Sequence, residues 1–242
     1  LLKTFFERLR DLCADDSESN GEERSGRIRA QAKQAYALAA ELGILKSADI
    51  TWSDFQDQIG DAKTGSEHVV ELDEKSNLVG KTTKPPAFGL IPALKKLPKF
   101  FAWGGVSSYE KKIEFFSATP LEYLARWIAN NDIFGDDVRL VSVIRWKDGL
   151  VSFGITQPQY HGRLAEPREI ETYFLNAGWT RLFDPSGHLI YFNYAFEMMA
   201  IDAAGRNCFI NDSGFQPFDV ILYKPDECLE RFLKIYQDRL AK

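Results

Sequence analysis

The chain has 242 residues, with 35 acidic against 30 basic side chains and a formal net charge of -5. That length accommodates one large domain or two small ones. The acidic balance argues against a dedicated nucleic-acid binder, and 45% hydrophobic residues, including 18 Phe, 9 Tyr and 5 Trp, exclude disorder across the whole chain.

Residues 1–44 read as helical. Leu2, Phe5, Phe6, Leu9 and Leu12 form one stripe, and Ala30 to Leu42 is rich in strong helix formers. Between them the acidic run Asp15 to Glu23 has no apolar residue to bury and reads as a loop. Gly43 stops the second helix, and Trp52 and Phe55 begin a different texture. Val69 to Asp73 and Leu78 to Thr83, joined by a polar tip at 74–77, predict a hairpin. The Pro- and Gly-rich passage 84–105 predicts a long loop, and its lysines, with Lys111 and Lys112 beyond it, read as solvated.

Thr119-Pro120 is a helix-start signature, opening a helix to about Ile128 or Asn131. Val138 to Trp146 and Leu150 to Thr156 are predicted strands around the turn Lys147-Asp148-Gly149. Glu166-Pro167 opens a helix with Ile170, Phe174 and Leu175 on one face and Gly178 as its stop. Short strands follow near 189–192, 208–210 and 218–222, and Pro225 precedes a helix carrying Leu229, Phe232, Leu233 and Tyr236. Phe192 and Phe196 read as core. The order of elements predicts an α+β fold without βα alternation.

Cys13, Cys208 and Cys228 lack metal or redox spacing and read as reduced thiols; His68, His161 and His188 fit no zinc pattern. No apolar window approaches a membrane span, and Lys3, Glu7 and Arg8 put charge too early for a secretory signal, so no membrane partner and a cytoplasmic location are expected.

The chemistry-bearing residues concentrate near the C-terminal end. Asp202, Asn207 five residues later, and Asp219 beyond a hairpin turn at 211–214 follow the order of a kinase catalytic loop and its metal-binding aspartate. A carboxylate can orient an attacking hydroxyl, while Asn and Asp offer hard oxygens to Mg2+. Upstream, Gly60 and Gly65 shape a turn into a strand where backbone N–H groups could approach phosphate. Lys81 lies on the second hairpin arm, as does the kinase lysine that pairs with the α- and β-phosphates. Glu122, with Glu114 close by, offers an ion-pair partner, and Gln157-Pro158 marks a crossing point that could meet adenine.

From about Trp52 to Pro225, roughly 170 residues, the chain resembles the serine/threonine/tyrosine-kinase-like domains of bacterial and phage polyvalent proteins. The resemblance rests on Trp52-Ser-Asp-Phe55, Gly65-Ser-Glu-His-Val69, Lys81-Thr82 with Pro86-Ala-Phe-Gly89, and Thr119-Pro-Leu-Glu-Tyr-Leu124. It continues through Asn131 to Asp137, Thr156-Gln-Pro158 and Asp202 to Asp219. It implies a two-lobed protein-kinase-like fold: an N-terminal helical extension (1–48), an N-lobe (49–157) and a reduced C-lobe (158–242). It implies ATP and Mg2+ as cofactors, Asp202 as catalytic base with Lys81 and Glu122, Gly60, Gly65, Lys81 and Gln157 toward the nucleotide, and Asn207 and Asp219 as metal ligands. The phosphoryl acceptor, protein or small molecule, is left open.

The chain departs from ordinary protein kinases at Ala200 and Ile201, where His and Arg would precede the catalytic Asp, and at Val220-Ile221 in place of Phe-Gly. Only 23 residues follow Asp219 and no Ala-Pro-Glu element occurs among them. That argues against a protein substrate and keeps a second expectation open, a catalytically inactive nucleotide-binding or protein-interaction module.

Overall fold

A computed structural model describes residues 1–14, 24–60, 64–101 and 103–235. It is a mixed α+β protein whose contacts divide it into two compact units, residues 1–90 with 117–159, and residues 91–116 with 160–242. The acidic run 15–23 and Tyr236 lie outside the described residues.

The first unit is built on a five-stranded sheet in the order β1-β6-β7-β3-β2. Its strands are β1 (Leu45–Ser47), β2 (His68–Asp73), β3 (Leu78–Thr83), β6 (Arg139–Arg145) and β7 (Val151–Pro158). β1 runs parallel to β6, and the other pairings are antiparallel. Helices α1 (Leu2–Leu12), α2 (Arg24–Glu41) and α4 (Pro120–Phe134) bury their apolar residues with this sheet in one core. Phe5 meets Phe153 edge-on at 6.0 Å, Phe88 packs on Phe153 at 4.7 Å, and Trp127 is fully buried. Large side chains of this kind stabilise by about 2–3 kcal/mol each when buried. The N-terminal segment, expected as an extension, therefore shares the core of the sheet and contributes its edge strand β1.

Local chemistry explains several of these elements. In α4 the Thr119 hydroxyl accepts from the Glu122 N–H, the Glu122 carboxylate accepts from the Thr119 N–H, Pro120 opens the first turn, and Gly135 closes the helix at φ 70°. In β6 a bulge between Leu140 and Ser142 lets Leu140 and Val143 both face the core although three positions apart, leaving Val141 exposed. α3 (Trp52–Ile59), a helix the sequence reading passed over, has its own capping box from Thr51 and Asp54. Its Trp52 and Phe55 pack on Trp146.

β4 (Leu90–Phe100), in the passage 84–105 expected as a loop, pairs with β5 (Val106–Ser117) in a two-stranded ribbon that belongs to the second unit from 91 to 116. Pro92 and Pro98 are six positions apart, so both nitrogens point to the same edge of β4. A two-stranded ribbon leaves one edge of each strand unpaired, and a missing N–H costs no ladder bond there. Salt bridges from Lys95 to Glu114 and from Lys99 to Glu110 cross the ribbon.

The rest of this unit holds a sheet ordered β14-β11-β10-β9 and another ordered β13-β12-β8. These comprise β8 (Arg163–Leu164), β9 (Thr180–Leu182), β10 (Ile190–Asn193), β11 (Met198–Ile201), β12 (Cys208–Asn211), β13 (Gly214–Pro217) and β14 (Ile221–Tyr223). Helix α5 (Pro167–Asn176) stacks Phe174 on Tyr191 at 4.4 Å and Tyr173 on Phe215 at 4.2 Å. Ile170 and Phe174 are buried as expected, but Leu175 is exposed, because one further helical residue turns it about 100° off that face. Phe196, read as core, is exposed in the turn after β10, while Phe192 is buried. α6 (Glu227–Leu233) is capped by Asp226, whose carboxylate accepts from the Leu229 N–H.

Candidate functional site

The second unit brings Asp202, Asn207 and the approach to Asp219 together. β11 delivers Ile201 into the core, and Asp202 then turns in the left-handed region at φ 62°. Asp is among the few side chains that adopt this conformation readily, because its short polar group can bond locally. The Ala204 N–H donates to the Asp202 carbonyl at 2.8 Å, and a 3-10 turn over Gly205–Asn207 leads into β12. The Asn207 Nδ2 donates to the Asp202 carbonyl oxygen at 2.7 Å and to its Oδ2 at 2.9 Å. The Arg206 guanidinium pairs with the other carboxylate oxygen, Oδ1.

The β12–β13 hairpin then carries the chain back. Cys208 pairs with Pro217, Asn211 with Gly214, and the Ser213 N–H donates to Asn211 Oδ1 at 2.9 Å in the turn. The Phe218 N–H donates to the Asn207 carbonyl at 3.1 Å, which brings Asp219, half-buried, to the residue after that anchor. Phe209 and Phe218 stack at 4.8 Å. Beneath the turn, burial, reinforced by the negative charge of Asp202, pushes the Cys208 thiol up to about 12. It is an inert buried sulfhydryl.

Side-chain oxygens of Asn and Asp are of the type that could hold a small hard cation. The amide N–H2 of Asn207 is taken up by Asp202, leaving Oδ1 as its acceptor, and Asp219 follows the Phe218 anchor in the chain. Among the described residues no group of three or more His, Cys, Asp or Glu side chains is placed to hold a metal. Magnesium in nucleotide sites is held by one or two such groups plus phosphate oxygens.

The remaining predicted residues lie in the first unit. Lys81, on β3 between Val70 and Ile155, is buried with its Nζ 5.1 Å from the centre of the Trp127 ring on α4. Glu122 is not its partner: that carboxylate caps α4 through Thr119 and pairs with the Arg24 guanidinium. Glu114, the other carboxylate considered, pairs with Lys95 and Lys112 in the second unit. Gln157 is buried, and its Nε2 donates to Asp136 Oδ2 at 2.7 Å.

Gly60 closes α3 with its N–H on the Gln56 carbonyl, and the Gly65 N–H donates to the His68 carbonyl at 2.8 Å. Residues 61–63 of that turn lie outside the described residues. No described helix is long and apolar enough to cross a membrane.

Sequence reasoning missed two charged groups that shape these places. Arg206 was unmarked, although an Asp-x-x-x-Arg spacing could have suggested its pairing with Asp202. In the first unit Glu67 accepts from both the Leu90 N–H and the Arg126 guanidinium, buried on both sides of the pair. Glu67 stands within one of the segments that carried the family resemblance, but its partner is 59 positions away. No family model, no curated protein and no solved structure matches the chain.

Proposed function

We propose that the turn from Asp202 to Asp219 is the catalytic loop of an atypical ATP- and Mg2+-dependent phosphotransferase with a two-lobed kinase-like fold. The observation that carries this reading is the bond from the Asn207 amide to the Asp202 carboxylate in a left-handed turn, followed by a hairpin that returns to Asp219. Phosphoryl transfer needs little covalent help from the protein, and positioned oxygens and charges supply most of the barrier reduction. In this reading Asp202 orients the acceptor hydroxyl and accepts its proton, held in one rotamer by Asn207 and Arg206. Asn207 and Asp219 would hold Mg2+, which neutralises charge on the nucleotide phosphates when bound. The resemblance to the kinase-like domains of polyvalent proteins supports the same assignment and gives Lys81 the role of phosphate-directed cation.

The test is transfer of the γ-phosphoryl group from ATP, or ATP turnover, with and without Mg2+. Asp219→Ala should abolish metal-dependent turnover with the thermal unfolding profile preserved, and wild-type turnover in that variant sinks the assignment. A second reading, a nucleotide-binding or protein-interaction module without catalysis, is favoured by Ala200 and Ile201, two buried apolar residues before Asp202. It requires thermal stabilisation by ATP, or by a partner protein, without turnover.

A further inference from the structure

We propose that the first unit carries a second ligand site, unrelated to the Asp202 turn, for a medium-chain alkyl carboxylate. The site is a cavity of about 580 Å³ between α2 and the turn joining β6 to β7, within the size range of small-molecule pockets. Its walls are apolar: Ile28 and Ala32 from α2, Phe88 from the segment before β4, and Leu150 and Val151 from the start of β7. A flexible hydrocarbon chain matches such a lining.

The rim selects the head group. Arg29 and Lys33 stand four residues apart on α2, on the same side of the helix, and Arg145 reaches the same cavity from the end of β6. Like charges at that helical spacing destabilise a helix, and among the described residues neither Arg29 nor Lys33 has a carboxylate partner. Arg145 is held in place rather than neutralised: its guanidinium lies 5.0 Å from the Tyr36 ring centre and donates to the Tyr36 hydroxyl at 3.3 Å. The single acid of the lining, Asp148, is already engaged, its Oδ2 accepting from the Trp52 N–H and its Oδ1 from the Leu150 N–H. Three cations thus line an apolar cavity against one carboxylate, Asp148, whose oxygens are taken up by backbone N–H groups, which leaves an excess of positive charge there. A carboxylate seated at the rim would relieve their repulsion while its alkyl chain fills the space beneath.

Calorimetric titration of the protein with decanoate tests this, with decan-1-ol and acetate as the body-only and head-only comparisons. Decanoate is expected to bind saturably with one site per chain, at least about tenfold tighter than decan-1-ol, as a charge-assisted contact requires, with acetate showing no saturable binding. The exposed pair Arg29→Glu/Lys33→Glu should weaken decanoate at least about tenfold and leave decan-1-ol unchanged, whereas Ala32→Trp should block both by filling the cavity. Equal affinity for decanoate and decan-1-ol, decanoate binding unaffected by the charge reversals, or no saturable decanoate binding overturns the proposal. Because the two glutamates replace exposed side chains, the outcome does not hinge on the folding of the cavity-filling variant.

Discussion

Glu67→Gln is the sharpest test of what holds the first unit together. The Glu67 carboxylate accepts from Arg126 Nη1 at 2.9 and 2.8 Å through its two oxygens and from the Leu90 N–H at 2.6 Å. The side chains of Glu67 and Arg126 are only 8% and 3% exposed, so water cannot replace either partner. Gln keeps the shape and an acceptor for Leu90 but removes the negative charge that faces the buried Arg126 guanidinium. Breaking one side of a buried pair costs about 3–5 kcal/mol. The retained acceptor places this variant near the lower end, about 3 kcal/mol, or roughly a hundredfold in the folding constant.

Urea unfolding should therefore show a lower midpoint with an unchanged slope, and the thermal midpoint should fall by about 6–12 °C. The double variant Glu67→Gln/Arg126→Met should recover part of the loss, because an apolar replacement of both partners is often nearly neutral. A loss below about 1 kcal/mol for Glu67→Gln, or a double variant equal to the sum of its singles within about 0.5 kcal/mol, refutes the reasoning.

Gly205→Ala should destabilise the second unit by about 1–3 kcal/mol, since an added Cβ would stand 2.7 Å from the Ala165 backbone carbonyl oxygen; the shift of the urea midpoint measures it. Burial raises the Asp184 pKa, but the N–H groups of Ser186 and His188 and the His188 ring outweigh that and hold it below the ordinary 3.8. A depressed carboxylate stabilises the fold above its unfolded pKa and loses that contribution as pH falls through the folded one. Asp184→Asn should accordingly flatten the fall in stability below about pH 4, as read from urea midpoints across pH. Of the three thiols, Cys228 is exposed while Cys13 and Cys208 are buried, so a thiol reagent should label one site in the native protein and all three in denaturant.

What the sequence revealed was local in origin. Thr119 and Pro120 announced α4 because capping operates within four residues, and alternation with a polar tip announced β2 and β3. The Asp202–Asn207 contact was legible for the same reason, its partners being five positions apart. The misreadings came from effects that local pattern does not carry. Pro92 and Pro98 suggested a loop because the sequence does not say that β4 would have an unpaired edge to receive them. Glu122 looked available to Lys81 because its partner Arg24 lies 98 positions away. Leu175 and Phe196 show the remaining limit: hydrophobic character marks a candidate for burial, whereas the turn of the helix or loop decides which candidates face inward.

The Asp202 turn is held from three directions, and this bears on what it can do. Gly205 lies close enough to the Ala165 carbonyl that no side chain fits between them. The Ala165 N–H donates to the Cys208 carbonyl at 2.9 Å, and the Phe218 N–H ties the Asn207 carbonyl from the hairpin side. A left-handed non-glycine residue costs about 1–2 kcal/mol, and the bonds from Asn207 and Arg206 to the Asp202 side chain are of the size to offset it. Under the proposed function this bracing has a chemical purpose. Catalysis by positioning depends on reacting groups held to within a fraction of an ångström, and a carboxylate fixed by two donors on an anchored turn meets that demand better than one on a free loop. The turn's rigidity and its proposed chemistry thus rest on the same few contacts, which is why Gly205→Ala, inside the proposed catalytic loop, should lower activity as well as stability.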